Sequence, residues 1–121
     1  MSKLKIYTCS MLMAKKLVKE NKYTKEDILD ITVKSGTKVF APTWDMVKRV
    51  KNVTMSEIEY MDKYYIMMLE SYKHNRQIWD DILQKDKIIF ACYCDAGDFC
   101  HRILLAGYFE KLGGIYKGEL I

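Results

Sequence analysis

Lys87-Ile88-Ile89-Phe90-Ala91-Cys92 is a charged residue followed by an unbroken apolar run. A strand with one wet face alternates apolar and polar residues. A continuous run instead belongs to a strand covered on both faces, the kind found inside parallel sheets. The residues after it, Cys92-Tyr93-Cys94-Asp95-Ala96-Gly97-Asp98-Phe99-Cys100-His101-Arg102, form a turn and then a helix start. Asp98 is the expected N-cap, with the helix running through Leu112. Leu104, Leu105, Tyr108 and Leu112 are expected to face inward, and Gly113-Gly114 stands where a helix should stop. Ile115-Tyr116 then reads as a final edge strand.

Working back from this strand, the same alternation recurs. Lys3 to Thr8 is β-rich and predicts a first strand, and Met11 to Glu20 carries Leu12, Leu17 and Val18 opposite lysines, the pattern of a short amphipathic helix. Ile28 to Val33 reads as a buried strand broken by Lys34-Ser35-Gly36, and Val39-Phe40-Ala41 as a brief strand or extended loop. Thr43 follows Pro42 as an N-cap, with Asp45 in the first turn to suit the helix dipole. Thr54-Met55-Ser56-Glu57 has the form of a capping box before a long helix. On that helix Ile58, Met61, Tyr65, Met68 and Tyr72 recur in steps of three and four and are expected in the core, while Tyr60 and Tyr64 lie off the stripe. Ile78, Trp79, Ile82 and Leu83 mark a further helical stretch.

Strands alternating with helices predict a compact, Rossmann-like α/β domain with a mainly parallel central sheet of roughly 4–5 short strands flanked by helices. No linker or repeat interrupts the 121 residues, so one domain over 1–121 is expected. No apolar run approaches the ~18 residues that span a membrane, and Met-Ser-Lys-Leu-Lys-Ile-Tyr lacks the apolar stretch of a secretion signal, so the expected compartment is the cytoplasm. Cys9, Cys92, Cys94 and Cys100 are there expected as thiols, ligands or catalytic groups rather than a disulfide frame. The net charge of +4 is dispersed among acids, which suits a small anionic ligand and argues against a nucleic-acid partner.

Ligands of open α/β sheets sit outside the carboxyl ends of the strands. Four loops should meet there: Thr8-Cys9-Ser10, Lys34-Ser35-Gly36, Pro42-Thr43-Trp44 and Cys94 to Arg102. With Asp98 as cap, Cys100, His101 and Arg102 head a helix, whose free N–H groups and dipole favour an anion and a thiolate. Arg102 adds a permanently charged fork and His101 a group that moves protons near neutral pH. A zinc set of Cys92, Cys94, Cys100 and His101 is the competing chemistry, but Cys-x-Cys-x5-Cys-His is not a common structural zinc spacing, and no metal or other cofactor is expected. The plain alternative is structural: buried cysteines, a locally bonded His101, and Arg102 paired with Asp95 or Asp98.

Tyr7-Thr8-Cys9-Ser10, Ala41-Pro42-Thr43-Trp44-Asp45-Met46, Glu59-Tyr60-Met61-Asp62-Lys63-Tyr64-Tyr65 and Cys92-Tyr93-Cys94 with Phe99-Cys100-His101-Arg102 together resemble the bacterial and phage family named domain of unknown function 488. The resemblance runs over nearly the whole chain in order, and the Cys-His-Arg block is its most specific part. It implies a compact α/β fold with these blocks around one pocket, and it supplies no reaction. A second cysteine at Cys94 departs from the family pattern and weakens the zinc alternative. Abundant lysine, isoleucine and tyrosine point to an AT-rich genome such as a phage's, for which the compartment is the host cytoplasm.

The expected function is a pocket for a small phosphate-bearing, nucleotide-like molecule. Cys100 and His101 are the candidate catalytic pair. Arg102, Thr8, Ser10, Ser35, Thr43, Trp44, Asp98, Tyr60 and Tyr64 are the candidate ligand contacts. A non-catalytic binder of a nucleotide signal, of the phage counter-defence kind, is the first alternative, and a nucleic-acid-associated protein the second.

Overall fold

A computed structural model describes residues 3–93 and 101–120. The elements are β1 (Lys5–Ser10), α1 (Met11–Lys19), a 3-10 turn (Lys25–Asp27), β2 (Ile28–Asp30), α2 (Trp44–Lys51), α3 (Glu57–His74), α4 (Arg76–Leu83), β3 (Lys87–Cys92), α5 (His101–Lys111) and β4 (Ile115–Glu119). The four strands form one all-parallel sheet in the order β2-β3-β1-β4. This is the expected α/β architecture, with β4 at the edge as read from Ile115-Tyr116. Among the described residues no helix is long and apolar enough to cross a membrane.

The apolar run sits where its composition requires. Lys5↔Lys87 through Ser10↔Cys92 pair β1 with β3 at the centre, and Ile88 through Cys92 are all buried. The run splits between two faces by strand alternation. Ile88, Phe90 and Cys92 join Leu4 and Ile6 against α2 to α5, whereas Ile89 and Ala91 join Cys9 against Ala14 of α1. Right-handed crossovers explain the division. The chain moves one way across the sheet from β1 to β2 and the other way from β2 to β3 and from β3 to β4, so α1 lies on one face and the remaining helices on the other.

The long helix α3 presents a different face from the one its spacing suggested. Ile58 is 72% exposed, Met61 and Tyr65 are also exposed, and only Met68 of that stripe is fully buried. Tyr60, Tyr64, Met68 and Ser71 face the core instead. Both series step by three or four residues, so periodicity alone does not separate them. Polar partners do. Tyr64 Oη donates to Phe40 O at 2.7 Å, and Ser71 Oγ donates to Val39 O at 2.7 Å and accepts from Trp79 Nε1 at 3.0 Å. The loop at 37–41 brings carbonyls into the core, and tyrosine and serine turn inward to meet them. Phe40 and Phe109 close on Trp79, at 5.1 and 4.7 Å between ring centroids.

Smaller differences have local causes. The second strand stops at Asp30, not Val33, because Asp30 Oδ1 accepts from Thr32 N (2.9 Å) and Thr32 Oγ1 from Ser35 N (3.1 Å), bonds that favour a turn over a ladder. Gly36 closes this turn, and a Cβ there would collide with the Asp30 carbonyl and Thr32 backbone. Val39-Phe40 is a turn rather than a strand, Phe40 N donating to Thr37 O. Ser56, not Thr54, caps α3 through Glu59 N, while the Thr54 hydroxyl donates to Arg49 O. On α5 His101, Arg102, Leu105, Ala106 and Phe109 are buried and Leu104 and Tyr108 pack half-buried against the core as expected, whereas Leu112 is exposed.

Candidate ligand site at the carboxyl edge of the sheet

All four strands end along one edge, at Ser10, Asp30, Cys92 and Glu119. The edge has two halves. On the β4 side it is closed. Arg102 is fully buried, with Nε donating to Glu119 Oε1 (3.0 Å), Nη2 to Oε2 (2.5 Å) and Nη1 to Cys92 Sγ (2.9 Å). Thr8, also buried, joins them: its Oγ1 lies 2.6 Å from Tyr116 Oη, and it hydrogen-bonds Glu119. Burial pushes the Glu119 carboxyl up, but the bonds from Arg102 and Thr8 outweigh it and hold the pKa below the ordinary value. The fork expected to face a ligand is thus engaged by a carboxylate from the last strand, a bidentate pair that fastens α5 to β4.

His101 is turned inward beside this pair. Its Nε2 donates to Ile31 O at 2.5 Å, and the Tyr64 ring lies edge-on at 5.6 Å. Burial, reinforced by the nearby Arg102 charge, lowers its pKa to about 4 despite the bond to Ile31. The ring is neutral at physiological pH and ties α5 to the residue after β2. Tyr64, fully buried, and Tyr60, stacked on it at 6.3 Å, lie beneath the edge rather than over it. Cys92 is disulfide-bonded, against the expectation of thiols, whereas Cys9 is a free thiol whose pKa burial, helped by Glu119, raises to about 11. Cys94, Asp98 and Cys100, and with them the candidate nucleophile, its cap and half of the zinc set, lie outside the described residues.

On the β2 side the edge is open among the described residues. Ser35 Oγ donates to Asp30 Oδ2 at 2.6 Å and lies 3.1 Å from Thr32 Oγ1 and 3.4 Å from Tyr93 Oη. Partial burial acts to raise the Asp30 pKa, yet the bonds from Ser35 and Thr32 prevail, with help from His101, and keep it ionised. Next to Asp30 a cavity of about 420 Å³ runs along α1, lined by carbon from Met11, Ala14, Val18 and Ile28 and by Lys15, Lys19 and Lys25.

Of the residues singled out in the sequence, the structure brings Ser35 into this open cluster and Thr8 and Arg102 into the closed one. Ser10 and Thr43 serve as caps, accepting from Met13 N and Met46 N at 3.1 Å each. Trp44 is 52% exposed, and among the described residues no hydrogen bond or ring contact joins it to Asp30. Asp30, Tyr93 and Glu119 were not anticipated. Asp30 carries a readable signal, an acid closing an apolar strand before a Thr-x-x-Ser-Gly turn. Glu119 carries none.

A family model described as the active DUF488-N3 subclade matches residues 10–113. The chain belongs to the DUF488 family. The match takes in Asp30, Ser35, Tyr93, His101 and Arg102 of this DUF488 domain, and stops short of Glu119. No curated protein and no solved structure matches the chain.

Proposed function

We propose that this DUF488 domain takes a small phosphate-bearing, nucleotide-like molecule at the open half of the edge. The carrying observation is the Asp30–Ser35–Tyr93 cluster beside the cavity along α1. An ionised carboxylate among hydroxyls suits the hydroxyl groups of a sugar, and an acid beyond the second strand is where Rossmann-type sheets bind ribose. The volume is in the range of small-molecule sites. Carbon from Met11, Val18 and Ile28 suits a base, and Lys15, Lys19 and Lys25 offer phosphate the positive charge that Arg102 directs to Glu119. In this reading Arg102 and His101 are positioning residues that hold α5, and Ser35 Oγ, 2.6 Å from a carboxylate, is the hydroxyl readiest to lose a proton.

Adenosine monophosphate, ribose 5-phosphate and adenosine are the probes. The two phosphorylated compounds should raise the melting temperature, ligand at 100-fold its Kd adding about 2.7 kcal/mol of stability, and Asp30→Asn should cut that gain to about half or less. Mass spectrometry of the released ligand then separates turnover from retention: an altered mass makes the protein an enzyme, an intact one a binder. No shift with any of the three compounds overturns the proposal.

A further inference from the structure

The outermost line of α3 is apolar where a surface helix is ordinarily charged. Ile66 is 60% and Leu69 51% exposed, and they lie on the side of the helix away from Tyr60, Tyr64 and Ser71. Asp62 and Lys73 continue the same line one turn beyond each end, giving Asp62, Ile66, Leu69 and Lys73 at steps of four, three and four. Neither Asp62 nor Lys73 makes an ion pair among the described residues.

This line is its own complement when reversed. About a two-fold axis between residues 67 and 68, Asp62 of one helix comes opposite Lys73 of the other, and Ile66 opposite Leu69. The seam is thus apolar at its centre and closed at each end by opposite charges, as a symmetric isologous contact requires. On the polar flank Lys63 comes two residues from Glu70 of the second helix, again with opposite sign, Glu70 meeting among the described residues the exposed His74 of its own helix. A parallel arrangement would set Asp62 against Asp62 and Lys73 against Lys73, so charge selects the antiparallel one. We propose that α3 is a self-association surface and that its partner is a second copy of this chain, packed antiparallel across Ile66 and Leu69.

Sedimentation equilibrium of the full chain, with charge reversals at these exposed positions, is the test. The wild type should dimerise, and Asp62→Lys and Lys73→Asp should each raise the dimer dissociation constant about tenfold or more, since symmetry applies each change twice. The double variant, Asp62→Lys with Lys73→Asp, should restore wild-type affinity. Leu69→Glu should give a monomer with an unchanged circular dichroism spectrum. A wild-type chain that stays monomeric at millimolar concentration overturns the proposal. So does a dimer indifferent to both reversals, or one that the double reversal fails to restore.

Discussion

The two halves of the carboxyl edge use the same parts to opposite ends. Each has a carboxylate at the close of a strand, Glu119 on β4 and Asp30 on β2, and each holds it ionised with hydroxyl donors. At Glu119 a buried guanidinium completes the set and leaves nothing for a ligand to add. At Asp30 the donors among the described residues are Ser35, Thr32 and, one step away, Tyr93, and a cavity opens alongside. Neutralised charge holds a fold together, whereas charge held in place without a cation is free to bind.

The largest expected effect breaks the closed half. Glu119→Gln leaves Arg102 buried without its counter-charge, and removing one partner of a buried pair costs about 3–5 kcal/mol. Urea unfolding should register that loss; a cost below about 1 kcal/mol would mean that the pair contributes little to the fold. Next is the pH response of the tie beside it. Unfolded, His101 takes a proton near its ordinary pKa of 6.5, but folded only near 4, so the unfolded state binds the extra proton between these values. Stability is fully present above about 6.5 and falls as pH drops through the window, by about 3 kcal/mol. The lowered pKa values of Asp30 and Glu119 act in the same direction at lower pH, where their protonation begins. His101→Phe should flatten the slope of unfolding free energy between pH 6.5 and 4; an unchanged slope would move the titration elsewhere.

Asp30→Asn probes the open half. Its cost to stability should stay near or below about 1 kcal/mol, the range for one partly exposed hydrogen-bonded group, while affinity for adenosine monophosphate should fall about tenfold or more. If urea unfolding finds it as damaging as Glu119→Gln, the two carboxylates do the same job and the contrast fails. Smallest is Trp44→Ala. An exposed side chain without partners among the described residues should change stability by less than about 0.5 kcal/mol and leave binding unaltered. A loss of nucleotide affinity would extend the open half as far as α2.

The architecture could be read from the chain because its signals are local. Ile88-Ile89-Phe90-Ala91 specifies a doubly covered strand, Thr43 a cap, and Gly113-Gly114 a helix end, each within a few residues. The halves of the edge could not. Arg102 pairs with a residue 17 positions on, and His101 with a carbonyl 70 positions back, so nothing in Cys-His-Arg reveals that both side chains turn inward. The same limit misassigned α3, where two stripes share one spacing and the inward one is selected by the carbonyls of Val39 and Phe40, more than 20 residues away.

The strand order bears on how the protein is made. Among the described residues β1 is flanked by β3 and β4 and β2 by β3 alone, so neither early strand has a sheet neighbour there before residue 87 is available. As the chain emerges from the ribosome, α1 to α4 can form while two strands wait with their backbone groups open. Sheet assembly then follows in one late step that closes a loop of some eighty residues, the kind of non-local pairing that slows folding. A nascent chain halted after α4 is therefore the species most exposed to aggregation, and β3 is the segment whose arrival ends that exposure.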